Sequence, residues 1–365
     1  MNKDDHNEKG ADTVLNRGLS RRGFVKSVGA IAAASAVGTV GWPGIVSAKS
    51  KSINVTCWGG AYEDAVRTSF AQPFEKATGI RVNLVNNADL ARMKVQVQNR
   101  RISWDVFDSI GPQIMAGSKQ GMWEKIDTSI VDTSGLIQQT GDDNVGTYFY
   151  AGGIGFDPKR NPQGQHPETF EQFWDVDRFP GRRGLRSRIS ENLEMALLAD
   201  GVAPDALYPL DIERGFAALD RIKPHVRKWI ETTPQTVSLI ASGDLDFTYT
   251  YLSRVLPAQR AGTSVAMSMK QTLNSLEYLA VPRHGRNTEA AMQYVNFCLQ
   301  PENQAKFCEM VEFSPNAEKA LSLVDADARA RMPDMNSANA IVIDDEWWGE
   351  HFDDLQRRFT EWMLM

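Results

Sequence analysis

The sequence predicts an α/β protein of two lobes, and three observations carry that expectation. Strand-like and helix-like patterns alternate along the chain, which argues for mostly parallel sheets. They do so in two successive series, the second opening after residues 148–156. The chain then returns, near residues 276–281, to what reads as the first series. A length of 365 residues is generous for one core and comfortable for two.

In the first series, Ile53, Val55 and Cys57 have period two and end at Gly59-Gly60. Residues 61–78 carry a helical apolar face at Ala65, Phe70, Phe74 and Ala77, closing on Gly79. Pro73 interrupts that pattern and is expected to kink or divide the helix. Residues 80–85 form the second strand, and Asp89 caps a helix through about residue 98. Residues 104–110 form the third strand, followed by a helix to about residue 125.

In the second series, Thr169-Phe170-Glu171-Gln172 reads as a capping box. Residues 185–187 are a short strand, and 191–199 and 211–222 are helices. Thr233-Pro234 opens a helix that Gly243 ends. Residues 245–251 alternate as a strand, and 253–260 are helical up to Gly262. After the return come helices 288–299 and 301–311. The tail, 344–363, repeats Trp348, Phe352, Leu355, Phe359 and Trp362 at helical spacing, a stripe expected to pack on the first lobe. The expected division is 1–48, then 49–150 as the first part of lobe one, 151–275 as lobe two, and 276–365 as the return to lobe one.

The opening segment reads as an address. Residues 1–19 are polar. Ser20-Arg21-Arg22-Gly23-Phe24-Val25-Lys26 then precedes an Ala/Gly-rich apolar stretch too short and weakly hydrophobic for a membrane span. Val46-Ser47-Ala48 offers small residues for a signal peptidase. Together these resemble a twin-arginine signal peptide read by the twin-arginine export machinery.

Bulk properties narrow the function classes. The net charge is −6; residues 1–48 hold six of the Lys/Arg and four of the Asp/Glu, so the remainder carries −8. That balance argues against a nucleic-acid partner. The three cysteines, Cys57, Cys298 and Cys308, make no disulfide framework and no zinc spacing. Cys298 and Cys308 fall near the facing ends of consecutive helices, where a bridge is open to them, although buried free thiols are commoner. There is no GxSxG, HExxH, Walker loop or GxGxxG, so no catalytic, metal or cofactor motif is evident.

What the strand ends carry instead is aromatic and small. Trp58-Gly59-Gly60-Ala61-Tyr62 follows the first strand, Asp108-Ser109-Ile110-Gly111-Pro112 the third, and Tyr249-Thr250-Tyr251 ends a later one. Ligands of open α/β sheets sit outside the carboxyl ends of strands. Glycine lets backbone approach a ligand, and Trp or Tyr supplies flat walls that can face an ammonium. Tyr249 and Tyr251 share a strand face, so phenolate ligation of ferric ion is a further reading; an exported enzyme with two distant acids is another.

Longer stretches resemble a known family. Trp58-Gly59-Gly60-Ala61-Tyr62-Glu63-Asp64, Pro73-Phe74-Glu75-Lys76-Ala77-Thr78-Gly79, Trp104-Asp105-Val106 and Phe179-Pro180-Gly181-Arg182-Arg183 are similar to spermidine/putrescine-type solute-binding proteins of ABC transporters. So are residues 193–202 and Tyr208-Pro209-Leu210-Asp211. The resemblance implies the two-lobed periplasmic binding protein fold, type II-like, with hinge-linked lobes and a cleft between them. It implies a soluble periplasmic protein that captures a polyamine-like or other small amino compound for a membrane permease. Matching positions place Trp58 and Tyr62, with Gly59 in their loop, together with Ser109, Glu191, Tyr251 and Glu277, at the ligand. Departures are Arg188 where polyamine binders place an acid, Tyr251-Leu252-Ser253 for Trp-Asn-Gly, and Phe313 for Tyr. An inward Arg188 suits the carboxylate of an amino-acid-like zwitterion. An outward Arg188, or one paired with Glu191, leaves an acidic cleft for a polyamine.

The leader generates the first prediction. Mature protein should begin at Lys49, and the double change Arg21→Lys, Arg22→Lys should leave precursor in the cytoplasm. Normal export of that variant, followed by fractionation and N-terminal mass spectrometry, would exclude the twin-arginine route.

Overall fold

Two groups of strands meet on a pair of long, fully buried strands. A computed structural model describes residues 51–365 apart from 87–88, 139–140, 336 and 338, so the segment read as an export signal and its expected cleavage site lie outside the described residues. In chain order the strands are β1 (Ser52–Cys57), β2 (Arg81–Asn86), β3 (Phe107–Ile110), β4 (Asn144–Phe156), β5 (Arg183–Arg186) and β6 (Val226–Ile230). Then follow β7 (Phe247–Tyr251), β8 (Ala266–Met267), β9 (Thr272–Ala280), β10 (Ser314–Pro315) and β11 (Ala340–Val342).

The first group holds β1 parallel to β2, from Ser52 opposite Arg81 to Cys57 opposite Asn86. Val55 bridges to Val106 just before β3, and β3 runs antiparallel to β9 with Ile110 opposite Glu277. The second group is β7-β5-β6, all parallel. β4 joins the groups: residues 144–152 pair with β9, and residues 152–156 pair with β7. Strands that cross between lobes in opposite chain directions pair antiparallel, so the sheet is mixed rather than mostly parallel. β4 carries Gly152, Gly153 and Gly155 where it meets β7, because a Cβ at Gly152 would overlap the Tyr249 hydroxyl.

The helices follow local chemistry. Pro73 lies in the first turn of helix Gln72–Thr78, directly after a π segment, Arg67–Ala71, that continues helix Gly60–Val66. The expected division is thus a widened turn rather than a break. Asp89 accepts from the Arg92 N–H at 2.7 Å and caps helix Leu90–Gln98. Thr169 accepts from Gln172 N–H at 3.3 Å, but Gln172 Oε1 returns to the Glu168 N–H rather than to Thr169, so the capping box is displaced by one residue. The helix after β3 is Gly111–Lys119, shorter than expected, with Gly121 turning left-handed beyond it. β6 went unforeseen because Arg227 and Lys228 at an edge hide its alternation. Helices Thr288–Leu299 and Pro301–Val311 match expectation, and Cys57, Cys298 and Cys308 are buried free thiols with no bridge among them.

The C-terminal helix, Asp345–Leu364, buries Trp348, Phe352, Leu355, Phe359 and Trp362 as their spacing predicts. Packing on the first lobe alone is corrected. Gly349 lies against Met115 of the first group, but Trp348 donates to Glu194 Oε1 at 2.6 Å. Further along, Trp362 donates to Asp220 at 2.7 Å, Arg358 grips Glu213 at 2.5 and 2.9 Å, and Phe359 and Trp362 pack on Trp229. A 20-residue helix spans about 30 Å, enough to touch both halves.

Phe359 is fully buried at the far end of this strap. Phe359→Ala should therefore cost about 3–5 kcal/mol in urea denaturation. A loss below about 1 kcal/mol would show that the helix end contributes little to the fold.

Candidate functional site

The site forms where the ends of β1, β3, β7 and β9 converge, and it begins at a glycine turn. Gly59 and Gly60 have φ of +68° and +58°, a conformation that favours glycine, and they turn the chain from β1 into the next helix. Arg254, at the start of helix Leu252–Arg260, clamps this turn: Nη1 donates to the Gly59 carbonyl at 2.6 Å and Nη2 to the Trp58 carbonyl at 3.1 Å. Nη2 also donates to Thr233 Oγ1 at 2.9 Å. Burial lowers the Arg254 pKa to about 10, so it stays cationic at neutral pH.

One wall is built around Glu191, which has no solvent exposure. It precedes helix Asn192–Ala199 with φ 75° and ψ −42°, a strained backbone for a non-glycine residue. Its N–H donates to Glu194 Oε2 at 2.8 Å. Its carboxylate accepts from Arg188 Nη2 at 2.5 Å, Tyr251 at 2.8 Å and Tyr249 at 3.2 Å. Arg188 also donates to the Tyr251 hydroxyl at 2.7 Å and lies over the Trp58 ring, 5.9 Å from its centroid. Burial alone would lower the Arg188 pKa; Glu191 and Tyr251 outweigh it and raise it. Tyr249 and Tyr251 are raised, chiefly by burial, and donate as neutral phenols to Glu191.

The opposite wall is an acid pair. Trp58 donates its indole N–H to Glu277 Oε1 at 2.5 Å, and Tyr62 donates to Asp108 Oδ2 at 2.7 Å. β3 and β9 bring the two acids together, since Asp108 is opposite Leu279 and Ile110 opposite Glu277. Burial pushes Asp108 up to about 7 against the opposing hydrogen bonds from Tyr62 and Glu277. Burial, then the charge of Asp108, pushes Glu277 well above the usual carboxylate range. At neutral pH the pair therefore holds a proton that a bound ammonium could replace.

Between the walls is a cavity of about 340 Å³, counting its mouth. Of the residues expected at the ligand, Trp58, Tyr62, Arg188, Tyr251 and Glu277 line it. Gly59 stands behind Trp58 as the clamped turn, and Glu191 stands behind Arg188. Ser109 is not in the lining. It sits on the face of β3 opposite to Asp108 and Ile110, across from Tyr278, which turns to the C-terminal helix. Ile110 occupies the place given to Ser109. Arg188 satisfies both alternatives at once, pairing with Glu191 while lining the cavity. The residues not foreseen are Tyr150, Thr233 and Arg254, with Asp108 beneath them. Arg254 follows the quoted Tyr251-Leu252-Ser253 directly, so a cation in that loop was the available signal.

The acid pair sets a pH dependence. A carboxyl whose pKa is raised on folding binds protons as the chain folds, so stability declines as pH rises through the window from 3.8 to about 7. Urea midpoints should fall between pH 5 and pH 8. Glu277→Gln should lessen that fall, because an amide donates to Asp108 without adding charge. Burial likewise raises Glu194 and Asp345 to about 7, so part of the fall persists. An undiminished fall in Glu277→Gln would show the two acids to be uncoupled.

The chain's relatives agree with this architecture. The pattern of the bacterial extracellular solute-binding proteins matches residues 69–334. A gamma-aminobutyric acid-binding protein of Pseudomonas aeruginosa is 31% identical over 325 residues, which is 86% of this chain and 92% of that protein. A spermidine/putrescine-binding periplasmic protein of Salmonella typhimurium is 23% identical over 308 residues, 79% and 86% of the two chains. Among solved structures, the periplasmic binding protein AgtB of Agrobacterium tumefaciens R10, in complex with agropinic acid, superposes with a TM-score of 0.81. It shares 28% identity and covers 86% of this chain and 99% of its own. A GABA receptor superposes with a TM-score of 0.76 at 29% identity, over 86% and 97%. Among the described residues no helix is long and apolar enough to cross a membrane. The fold is the two-lobed fold of periplasmic binding proteins, and the chain belongs to the bacterial extracellular solute-binding proteins.

Proposed function

We propose that this protein is the capture component of an ABC importer and binds a small amino-acid-like zwitterion in the periplasm. The carrying observation is Arg188, a guanidinium held in the cavity wall by Glu191 and Tyr251. With Arg254 it brings cations to the cavity lining, while Glu277, with Asp108 behind it, brings acid, so both signs of charge meet a ligand there. A carboxylate meets the planar fork of Arg188. An ammonium takes the shared proton's place at Glu277 and faces Trp58, Tyr62 and Tyr150. A polyamine has only cationic ends and would set one of them against Arg188 in a desolvated site. The relatives named for 4-aminobutyrate stand at 31% and 29% identity, the polyamine-binding one at 23%.

In this reading residues 1–48 are removed on export through the twin-arginine machinery. Segments 49–150 and 276–365 form one lobe and 151–275 the other, closing about β4 and β9, and the ligand is captured without turnover. Isothermal calorimetry of the mature chain with 4-aminobutyrate, putrescine and spermidine tests the ligand class. 4-Aminobutyrate should bind most tightly and be recovered unchanged. Arg188→Ala should weaken it by at least about 30-fold, since losing one partner of a desolvated charge pair costs about 2 kcal/mol or more. Tight spermidine binding that survives Arg188→Ala would establish the polyamine reading instead.

A further inference from the structure

A second cavity opens from the first at Trp58 and Arg188, which line both. It holds about 1220 Å³, counting its mouth, against about 340 Å³ for the inner one. Helices Leu90–Gln98 and Gly111–Lys119 and the C-terminal helix wall one side; residues 186–188 and Glu231 wall the other.

Most charges here already have partners. Lys94 pairs with Asp353 at 2.7 Å, Arg357 pairs with Asp354 at 2.8 Å, and Asp89 caps its helix. Glu231 is exposed at the rim. Two buried groups differ. Arg186 is 3% exposed and donates from Nη2 to the Glu231 carbonyl at 3.2 Å, while its Nε and Nη1 have no hydrogen-bonding partner among the described residues. The Tyr251 hydroxyl, which also engages Glu191 and Arg188, interacts with Arg186 and offsets part of the cost of its burial. On the facing helix, Gln113 is 8% exposed and its Oε1 is also without a partner. A buried guanidinium with two idle nitrogens is costly, and burial lowers its pKa.

We propose that this cavity is a second subsite, where Arg186 binds a carboxylate and Gln113 an adjacent N–H of a ligand that extends past Trp58 and Arg188. The inference rests on the zwitterion reading of the inner cavity. It narrows the substrate class to amino compounds that carry a further carboxylate. Arg186 ends β5 and Arg188 follows two residues later in the bend that leaves it, and both side chains line this cavity. The fork of Arg186 suits a carboxylate, and the amide of Gln113 can take an N–H beside it.

Calorimetry on the mature chain tests this with 4-aminobutyrate, 4-aminobutyrylglutamate and 4-aminobutyrylglutamine, which keeps the α-carboxylate and replaces the side-chain carboxylate by an amide. The dicarboxylate should bind at least tenfold more tightly than the glutamine conjugate. Arg186→Gln should collapse that ratio toward one, and Gln113→Leu, from the opposite wall, should weaken the conjugate. If Arg186→Gln fails to fold, the wild-type ratio and Gln113→Leu decide. Equal binding of the two conjugates, with 4-aminobutyrate still bound, would overturn the second subsite alone. Failure of the wild type to bind either 4-aminobutyrate or the conjugate would overturn the inner reading and this one with it.

Discussion

A carboxylate sealed from solvent at Glu191 is the constraint on which the cleft depends. Removing such a charge from water costs several kcal/mol unless donors surround it. Arg188, Tyr249 and Tyr251 are those donors, and each has its place because Glu191 must be satisfied. Its carboxylate reaches the tyrosines of β7 while Glu191 and Glu194 also close a capping box on its own helix. The guanidinium that answers it is left with one face over Trp58 and one edge toward the cavity. Fixing an anion in the wall thus presents a cation to the ligand.

The opposite wall works by the reverse logic. Asp108 and Glu277 are two acids on neighbouring strands, too close and too buried for both to ionise. Trp58 and Tyr62 hydrogen-bond them from the glycine turn, so aromatic walls and acid floor form one network. The cavity lining thus carries both signs of charge, with Arg188 over Trp58 and Arg254 over Tyr62, the rings that hydrogen-bond the acids.

Two further devices tie the halves together. Arg254 holds the carbonyls of Trp58 and Gly59, so the second group of strands grips the loop that carries the first group's aromatics. The C-terminal helix spans both halves on the outside, through Trp348, Arg358 and Trp362.

The sequence by itself determined the elements whose causes are local. Asp89 caps as read, the tail stripe is buried as spaced, and helices 288–299 and 301–311 stand where periodicity puts them. Aromatics and glycines at strand ends, with the resemblance to a known family, brought Trp58, Tyr62, Arg188, Tyr251 and Glu277 forward, and these five line one cavity. Tertiary structure decided the rest, since those properties depend on distant partners. Whether Ser109 or Ile110 faces the cavity is set by the register of β3 against β9, where one residue inverts the face. Whether Arg188 points in or pairs with an acid depended on where Glu191 turns, and the fold allows both. The tail's second surface, the clamp of Arg254 and the shared proton of Asp108 and Glu277 each join residues more than 100 positions apart. No local pattern carries such pairings, because they exist only once the strands have closed around one another.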